Sequence, residues 1–140
     1  MLVQNRTANP YRQYLNNQVF TSSPAELIVM LFDGALRFVR KAGSALERQE
    51  YDEAHFYLDR TQQIITELSA SLDFNRGELP KNLFSLYEYM HHQLLKTDIG
   101  RNSDSLNEVE GMLLSLRKSW AEAGRLSGKP GIINNREDGL

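Results

Sequence analysis

Three constellations in this chain have the residue types that support chemistry. The first is Glu88-x-x-His91, with Asp52-x-x-His55 as a second copy of the same spacing. On helices, a carboxylate and an imidazole three residues apart form half of a bundle di-metal centre, provided that both point inward. Helical periodicity sets Glu88 roughly 130° from its helix's apolar seam and Asp52 roughly 160° from its own. Nor do the remaining helices offer an inward carboxylate, so these groups read as solvated faces and no metal is expected. The second constellation is a nucleophile. The chain has no Cys, so Ser, Thr or Lys would have to serve beside a base. Ser22, Ser23, Ser103 and Ser105 are better explained as helix caps, and no glycine-rich phosphate loop follows a strand.

The third is His92-Gln93-Leu94-Leu95-Lys96. It partly matches the H-x-L-K-G pattern of histidine phosphotransfer bundles. Leu95 stands at the Lys position and Lys96 at the Gly position, which would crowd the imidazole and its docking partner. A phosphotransfer bundle is therefore a lesser alternative. The expectation is no enzyme and no cofactor.

Whatever these residues do, helices must position them. Ser23, Pro24 and Glu26 form a capping box opening a helix over 24–48. Leu27, Leu31, Ala35, Phe38, Ala42 and Ala45 cover one face. Ile28, Phe32, Leu36, Val39 and Leu46 widen it to an arc of roughly 180–200°, against roughly 100° for an ordinary surface helix. That surplus predicts a second contact: a chain segment, a twin subunit or a client. Gly34 within this helix permits a close helix approach.

A second helix is predicted from Asp52 to Leu72, with Ala54, Leu58, Thr61, Ile65, Leu68 and Leu72 as a heptad seam flanked by Tyr57 and Ile64. A third runs from Pro80 to Ile99 on Leu83, Tyr87, Met90 and Leu94, widened by Leu79, Leu86 and Leu95, with Gly100 as its C′ residue. A fourth runs from Asp104 to Ala123 on Leu106, Val109, Leu113, Leu116, Trp120 and Ala123. Ser103 or Asp104 caps it and Gly124 ends it. Of the aromatics, Phe38, Tyr87 and Trp120 sit on seams and read as core. Phe56, Phe84 and Tyr89 fall off the seams and read as a partner-binding surface.

The fold class is all-α, an antiparallel four-helix bundle. Residues 1–22 form an irregular N-terminal cap segment, 23–124 the bundle, and 125–140 a disordered tail. The 140 residues suffice for one domain with its own core. Net charge is −2 with scattered Lys and Arg, so nucleic acid is not an expected partner. No long uncharged run suggests a signal peptide or membrane insertion, and absent Cys fits a reducing compartment. A cytoplasmic protein is expected.

Several short runs together resemble one family. They are Asn9-Pro10-Tyr11, Thr21 to Ile28, Met30-Leu31-Phe32-Asp33-Gly34-Ala35, Ile64 to Leu68, Leu86 to Met90, and Leu116-Arg117-Lys118-Ser119-Trp120. Leu72-Asp73 and Glu108 to Gly111 continue the pattern. In order and spacing they are similar to the FliS flagellar secretion chaperones. Phe32 replaces the Tyr usual before Asp-Gly, which keeps the ring and removes a hydroxyl. The resemblance implies a bundle without catalysis. It would bind the C-terminal segment of flagellin, prevent early polymerisation, and pass the client to the flagellar type III export gate. It also implies that Tyr11, Tyr14 and Leu15 form a lid over the client groove. Ile28, Phe32, Ile64 and Tyr89 are the first candidates for flagellin contact. Leu31, Leu68, Tyr87, Met90 and Leu94 complete the candidate groove. A helical adaptor that only dimerises, with the surplus face as a homodimer interface, stays open as an alternative.

Overall fold

The computed structural model describes residues 23–127. The cap segment, the lid residues and residues 128–140 expected above lie outside the described residues. Four helices follow one another: α1 (Pro24–Glu47), α2 (Tyr51–Ala70), α3 (Leu79–Gly100) and α4 (Ser103–Ser127). Among the described residues no helix is long and apolar enough to cross a membrane.

The chain divides into two compact units. The larger spans Leu31–Arg117, and the other takes in Met1–Met30 with Lys118–Leu140. All four helices contribute to the larger unit, which is the antiparallel bundle. Along α1, Asp33, Arg40 and Gly43 meet Arg117, Glu110 and Leu106 on α4, so the two helices run in opposite senses. Along α2, His55 and Gln62 meet Asp98 and His91 on α3. Between α3 and α4, Gln93 reaches Glu108 and Thr97 reaches Ser105. Phe38 of α1 stacks on Tyr57 of α2, with 5.9 Å between ring centroids.

Local chemistry sets the helix ends. The Ser23 N–H donates to Glu26 Oε1 at 2.8 Å, and the Glu26 N–H donates to Ser23 Oγ at 3.1 Å. This reciprocal pair satisfies two orphan donors of the first turn. The α1–α2 corner closes with Gln49 in the left-handed region at φ 59°, its neighbour Glu50 donating to the Ala45 carbonyl at 2.9 Å. Arg101 does the same after α3, at φ 53°. There the Asn102 N–H reaches the Thr97 carbonyl, and the Arg101 guanidinium lies 3.6 Å from the Tyr51 ring centroid. That contact offsets part of the cost of a side chain in a conformation that favours glycine.

Three boundary expectations need correction. The left-handed residue after α3 is Arg101, and Gly100 stays helical. The α4 cap is Asn102, whose Oδ1 accepts from the Asp104 and Ser105 N–H groups at 2.9 and 3.3 Å. Gly124 does not end α4, which continues to Ser127, so residues 125–127 belong to a helix. One internal glycine costs only about 1 kcal/mol.

The core agrees with the seams where two flanks converge. Leu58, Ile65, Leu83, Tyr87, Met90, Leu94, Leu106, Val109 and Leu113 are buried. Most of the wide face of α1 is buried: Leu31, Phe32, Ala35, Leu36, Val39, Ala42, Ala45 and Leu46 are covered, while Leu27, Ile28 and Phe38 are half-buried. The surplus expected there is therefore absent within the bundle, because α2 covers one flank and α4 the other. The exposed apolar surface lies mainly on α3. Leu79, Leu86 and Leu95, expected to widen its seam, are exposed. Phe38 and Trp120, expected as core, are half-buried, and so is Leu72.

Candidate functional site

On α3 the inward and outward faces differ sharply. The inward row of Leu83, Tyr87, Met90 and Leu94 is sealed. Burial pushes the Tyr87 phenol up to about 12, so it is neutral at any physiological pH. Outward, Leu95 is 49% exposed, Phe84 41% and Ile99 76%. Phe74, in the α2–α3 connection, packs edge-on against Phe84 with centroids 5.8 Å apart. Leu79 and Leu86 add apolar surface on the flank toward α4. Exposed apolar groups at this density mark an interaction surface.

Polar contacts frame that surface. The Tyr89 hydroxyl donates to both Glu108 carboxylate oxygens, at 3.0 and 2.8 Å, and Gln93 Nε2 donates to Oε1 at 2.8 Å. Glu108 raises the Tyr89 phenol pKa by holding its proton. The buried pair Thr97–Ser105, 2.8 Å apart, continues this line along α3 and α4. On the opposite flank, His55 Nδ1 lies 2.7 Å from Asp98 Oδ2. The Asp98 carboxylate draws the imidazole pKa upward. His91 contacts Gln62 Oε1 through Nδ1, and burial lowers its pKa against the opposing pull of Glu88.

The sequence-derived candidates separate on this geometry. Leu31, Phe32, Ile64, Leu68, Tyr87, Met90 and Leu94 are core residues of the bundle. Ile28 is half-buried, and Tyr89 is 43% exposed. Phe56 and Phe84, singled out as off-seam aromatics, are exposed as expected. The Arg60 guanidinium covers Phe56, 5.1 Å from its centroid. Leu95, Ile99 and Phe74 were not singled out for contact. The available signal was their position off the helix seams combined with an apolar side chain. The two Glu/Asp-x-x-His spacings do not converge, since His55 is engaged by Asp98 and His91 by Gln62. Among the described residues no three His, Asp or Glu side chains are grouped as a metal ion requires. His92 is exposed on α3, beside exposed Leu95 and Lys96.

The smaller unit carries a separate feature, a groove of about 490 Å³ between the first turns of α1 and the last turns of α4. Ala25, Ala121 and Gly124 supply small side chains to its lining, and Val29, Met30 and Trp120 the larger apolar ones. A Cβ added at Gly124 would lie 3.1 Å from that of Ala25, so glycine allows the two helices to approach here.

Known proteins share both fold and sequence with this chain. The family described as "Flagellar protein FliS" matches residues 7–127. The flagellar secretion chaperone FliS of Bacillus subtilis is 36% identical over 115 residues, covering 82% of this chain and 86% of that protein. The Campylobacter jejuni flagellar secretion chaperone FliS is 33% identical over 121 residues, covering 86% of this chain and 93% of the relative. A crystal structure of a flagellar chaperone from bacteria shares the fold, with a TM-score of 0.68 and 19% identity. The alignment covers 84% of this chain and 96% of that one.

Proposed function

Since the chain belongs to the FliS family of flagellar secretion chaperones, we propose that it binds the C-terminal segment of flagellin in the cytoplasm. Binding masks the apolar stripes through which flagellin polymerises, and the complex is then delivered to the flagellar type III export gate. The observation that carries this reading is the exposed apolar row on α3, beside a core that is already closed. A bundle complete without its client can present a fixed surface to a chain that folds on docking. Amphipathic client helices lay apolar faces against such a surface. Ordering the client costs free energy, so the contact must be extensive to yield useful affinity.

The mechanism follows from what is buried. Phe32, Ile64, Leu68, Tyr87, Met90 and Leu94 hold the platform rigid from beneath. Phe84, Leu95, Ile99 and Tyr89 meet the client. Tyr89 offers its ring while Glu108 fixes its hydroxyl. Tyr11, Tyr14 and Leu15 cover part of the client surface when flagellin is absent, with a few kcal/mol at stake in their burial. Client helices displace them.

Calorimetric titration with the C-terminal segment of flagellin from the same organism tests the proposal. The expected result is sub-micromolar affinity (under about 10⁻⁶ M, or roughly −8 kcal/mol) with a negative heat-capacity change. Absence of heat and of any change in particle size at tens of micromolar, on the order of 10⁻⁵ M, overturns it. Tyr11→Ala with Tyr14→Ala should leave the fold intact and alter affinity; unchanged affinity removes the lid. A tight dimer insensitive to flagellin, seen by light scattering, would instead favour the adaptor reading.

A further inference from the structure

Three aromatic rings run across the face that α1 and α2 share. Phe38 of α1 stacks on Tyr57 of α2 with centroids 5.9 Å apart, and Phe56 meets Tyr57 edge-on at 5.2 Å. Two cations lie on these rings. Lys41 Nζ is 5.6 Å from the Tyr57 centroid, and the Arg60 guanidinium is 5.1 Å from that of Phe56. Arg37 stands about one turn before Lys41 on the same side of α1. It is exposed and adds a third positive charge.

These cations differ from others of the bundle. Arg40, Arg48 and Arg117 each pair with a carboxylate. Among the described residues, Arg37, Lys41 and Arg60 pair with none. Arg60 gives one N–H to Gln63 Oε1 at 3.3 Å, and Gln63 in turn donates to Asp59. Glu50 and Glu53, at the α1–α2 corner, are held by Arg48. An aromatic face orients a cation without neutralising it. A stacked guanidinium leaves in-plane N–H groups available to a carboxylate, which it can meet bidentately. Holding the side chain in place also removes part of the entropy cost that makes ordinary surface ion pairs weak.

We propose that this α1–α2 face docks an acidic segment of a partner protein, with Arg37, Lys41 and Arg60 as its carboxylate contacts. An apolar side chain between the carboxylates rests on Phe56, which is 48% exposed. Nucleic acid and membrane fit less well. The net charge of the chain is −2, so the rest of the surface repels a uniformly anionic strand or bilayer. Three cations also give few phosphate contacts. All the residues of this face lie in the larger unit, and none belongs to the exposed row of α3. The face is therefore a second docking surface, for a partner other than the client held on α3.

Titrating isotope-labelled full-length protein with the peptide Glu-Glu-Leu-Glu-Glu at low salt, read by amide NMR shifts, tests this. Saturable shifts centred on residues 37–41 and 56–60 are expected, with a Kd on the order of 10⁻³ M or below. Binding should weaken as salt rises. The peptide Gln-Gln-Leu-Gln-Gln should bind at least about tenfold more weakly. Lys41→Gln with Arg60→Gln should lower affinity about tenfold, with helical circular dichroism unchanged. Lys96→Gln with Lys118→Gln removes equal charge elsewhere and should lower it less than about twofold. Absence of shifts at millimolar peptide overturns the proposal, as do shifts spread evenly over the surface. Equal binding of the glutamine peptide, or an equal loss in the Lys96 and Lys118 control, does the same. Saturable binding of oligothymidylate or of phosphatidylglycerol vesicles at this face, with none of the acidic peptide, overturns it in favour of nucleic acid or membrane. Phe84→Ser with Leu95→Ser should leave the peptide shifts intact; their loss would merge the two surfaces and overturn the proposal as well. No readout here involves flagellin, so this face can fail while the client reading stands, and the reverse.

Discussion

α1 and α3 use apolar residues in opposite ways. α1 has the wider apolar arc and, within the bundle, buries nearly all of it: Phe32, Leu36 and Val39 are almost wholly covered, and Phe38 is half-buried. α3 has a narrower buried row and leaves Phe84, Leu95 and Ile99 exposed. The width of an apolar face therefore does not locate a binding surface. What matters is which apolar groups of a helix face its neighbours. α1 is gripped by α2 through Phe38 and Tyr57, and by α4 through Asp33–Arg117 and Arg40–Glu110. α3 buries Leu83, Tyr87, Met90 and Leu94 inward, and polar contacts mark its flanks, His55–Asp98 on one and the Glu108 cluster on the other. Among the described residues, no helix covers its outer apolar groups.

The strongest way to break this contrast is to attack the side said to be structural. Phe32→Ala should cost about 3–5 kcal/mol, read as a large drop in denaturation midpoint. A loss below about 1 kcal/mol, with flagellin binding abolished, would instead place Phe32 on the client surface. The complementary change, Phe84→Ser with Leu95→Ser, should weaken flagellin binding by about tenfold or more, equivalent to about 1.4 kcal/mol. Its thermal midpoint should move little, and a stability loss as large as that of Phe32→Ala would erase the distinction between the faces.

Smaller effects sharpen the picture at the edges. Ser23→Ala removes the side-chain half of the α1 cap and should cost about 1 kcal/mol in denaturant unfolding. The smallest concerns the α2–α3 flank. Asp98 raises the His55 pKa, so this pair stabilises the fold fully below the ordinary histidine value near 6.5 and is lost as pH rises through the raised value. The side chain is exposed, which limits the gain to a few tenths of a kcal/mol. His91 acts with the opposite sign: burial lowers its pKa, so its contribution is lost as pH falls below 6.5 or so. Melting curves of His55→Asn and wild type should therefore differ most below pH 6.5 or so and converge as pH rises through the raised value. A constant difference across that range would show that His55 acts by packing alone.

Much of the bundle is legible in the chain itself. The capping box at Ser23 and Glu26, the heptad seam of α2 and the row Leu83, Tyr87, Met90 and Leu94 rest on contacts within a few residues, which periodicity records. The helix ends were less legible. Arg101 and Asn102 took roles expected of Gly100 and Ser103, because a cation–π contact with Tyr51 and a reach back to Thr97 make those geometries favourable. The candidate surface was legible only in part. Off-seam Phe84 and Tyr89 stood out, while Leu95 and Ile99 did not, since an apolar residue near a seam is ambiguous until the neighbouring helix is in place.

The sequence by itself determined four amphipathic helices, their antiparallel order and the family to which the chain is similar. All three follow from spacing along one chain: the 3.6-residue period, the short connections, and motifs in a set order. Only the tertiary structure decided which apolar residues are spare. It closed α1 between two partners, left the outer side of α3 exposed among the described residues, and lined a groove beside Trp120 with Ala25 and Gly124. Exposure belongs to pairs of helices, and a single helix's pattern carries no record of who stands beside it.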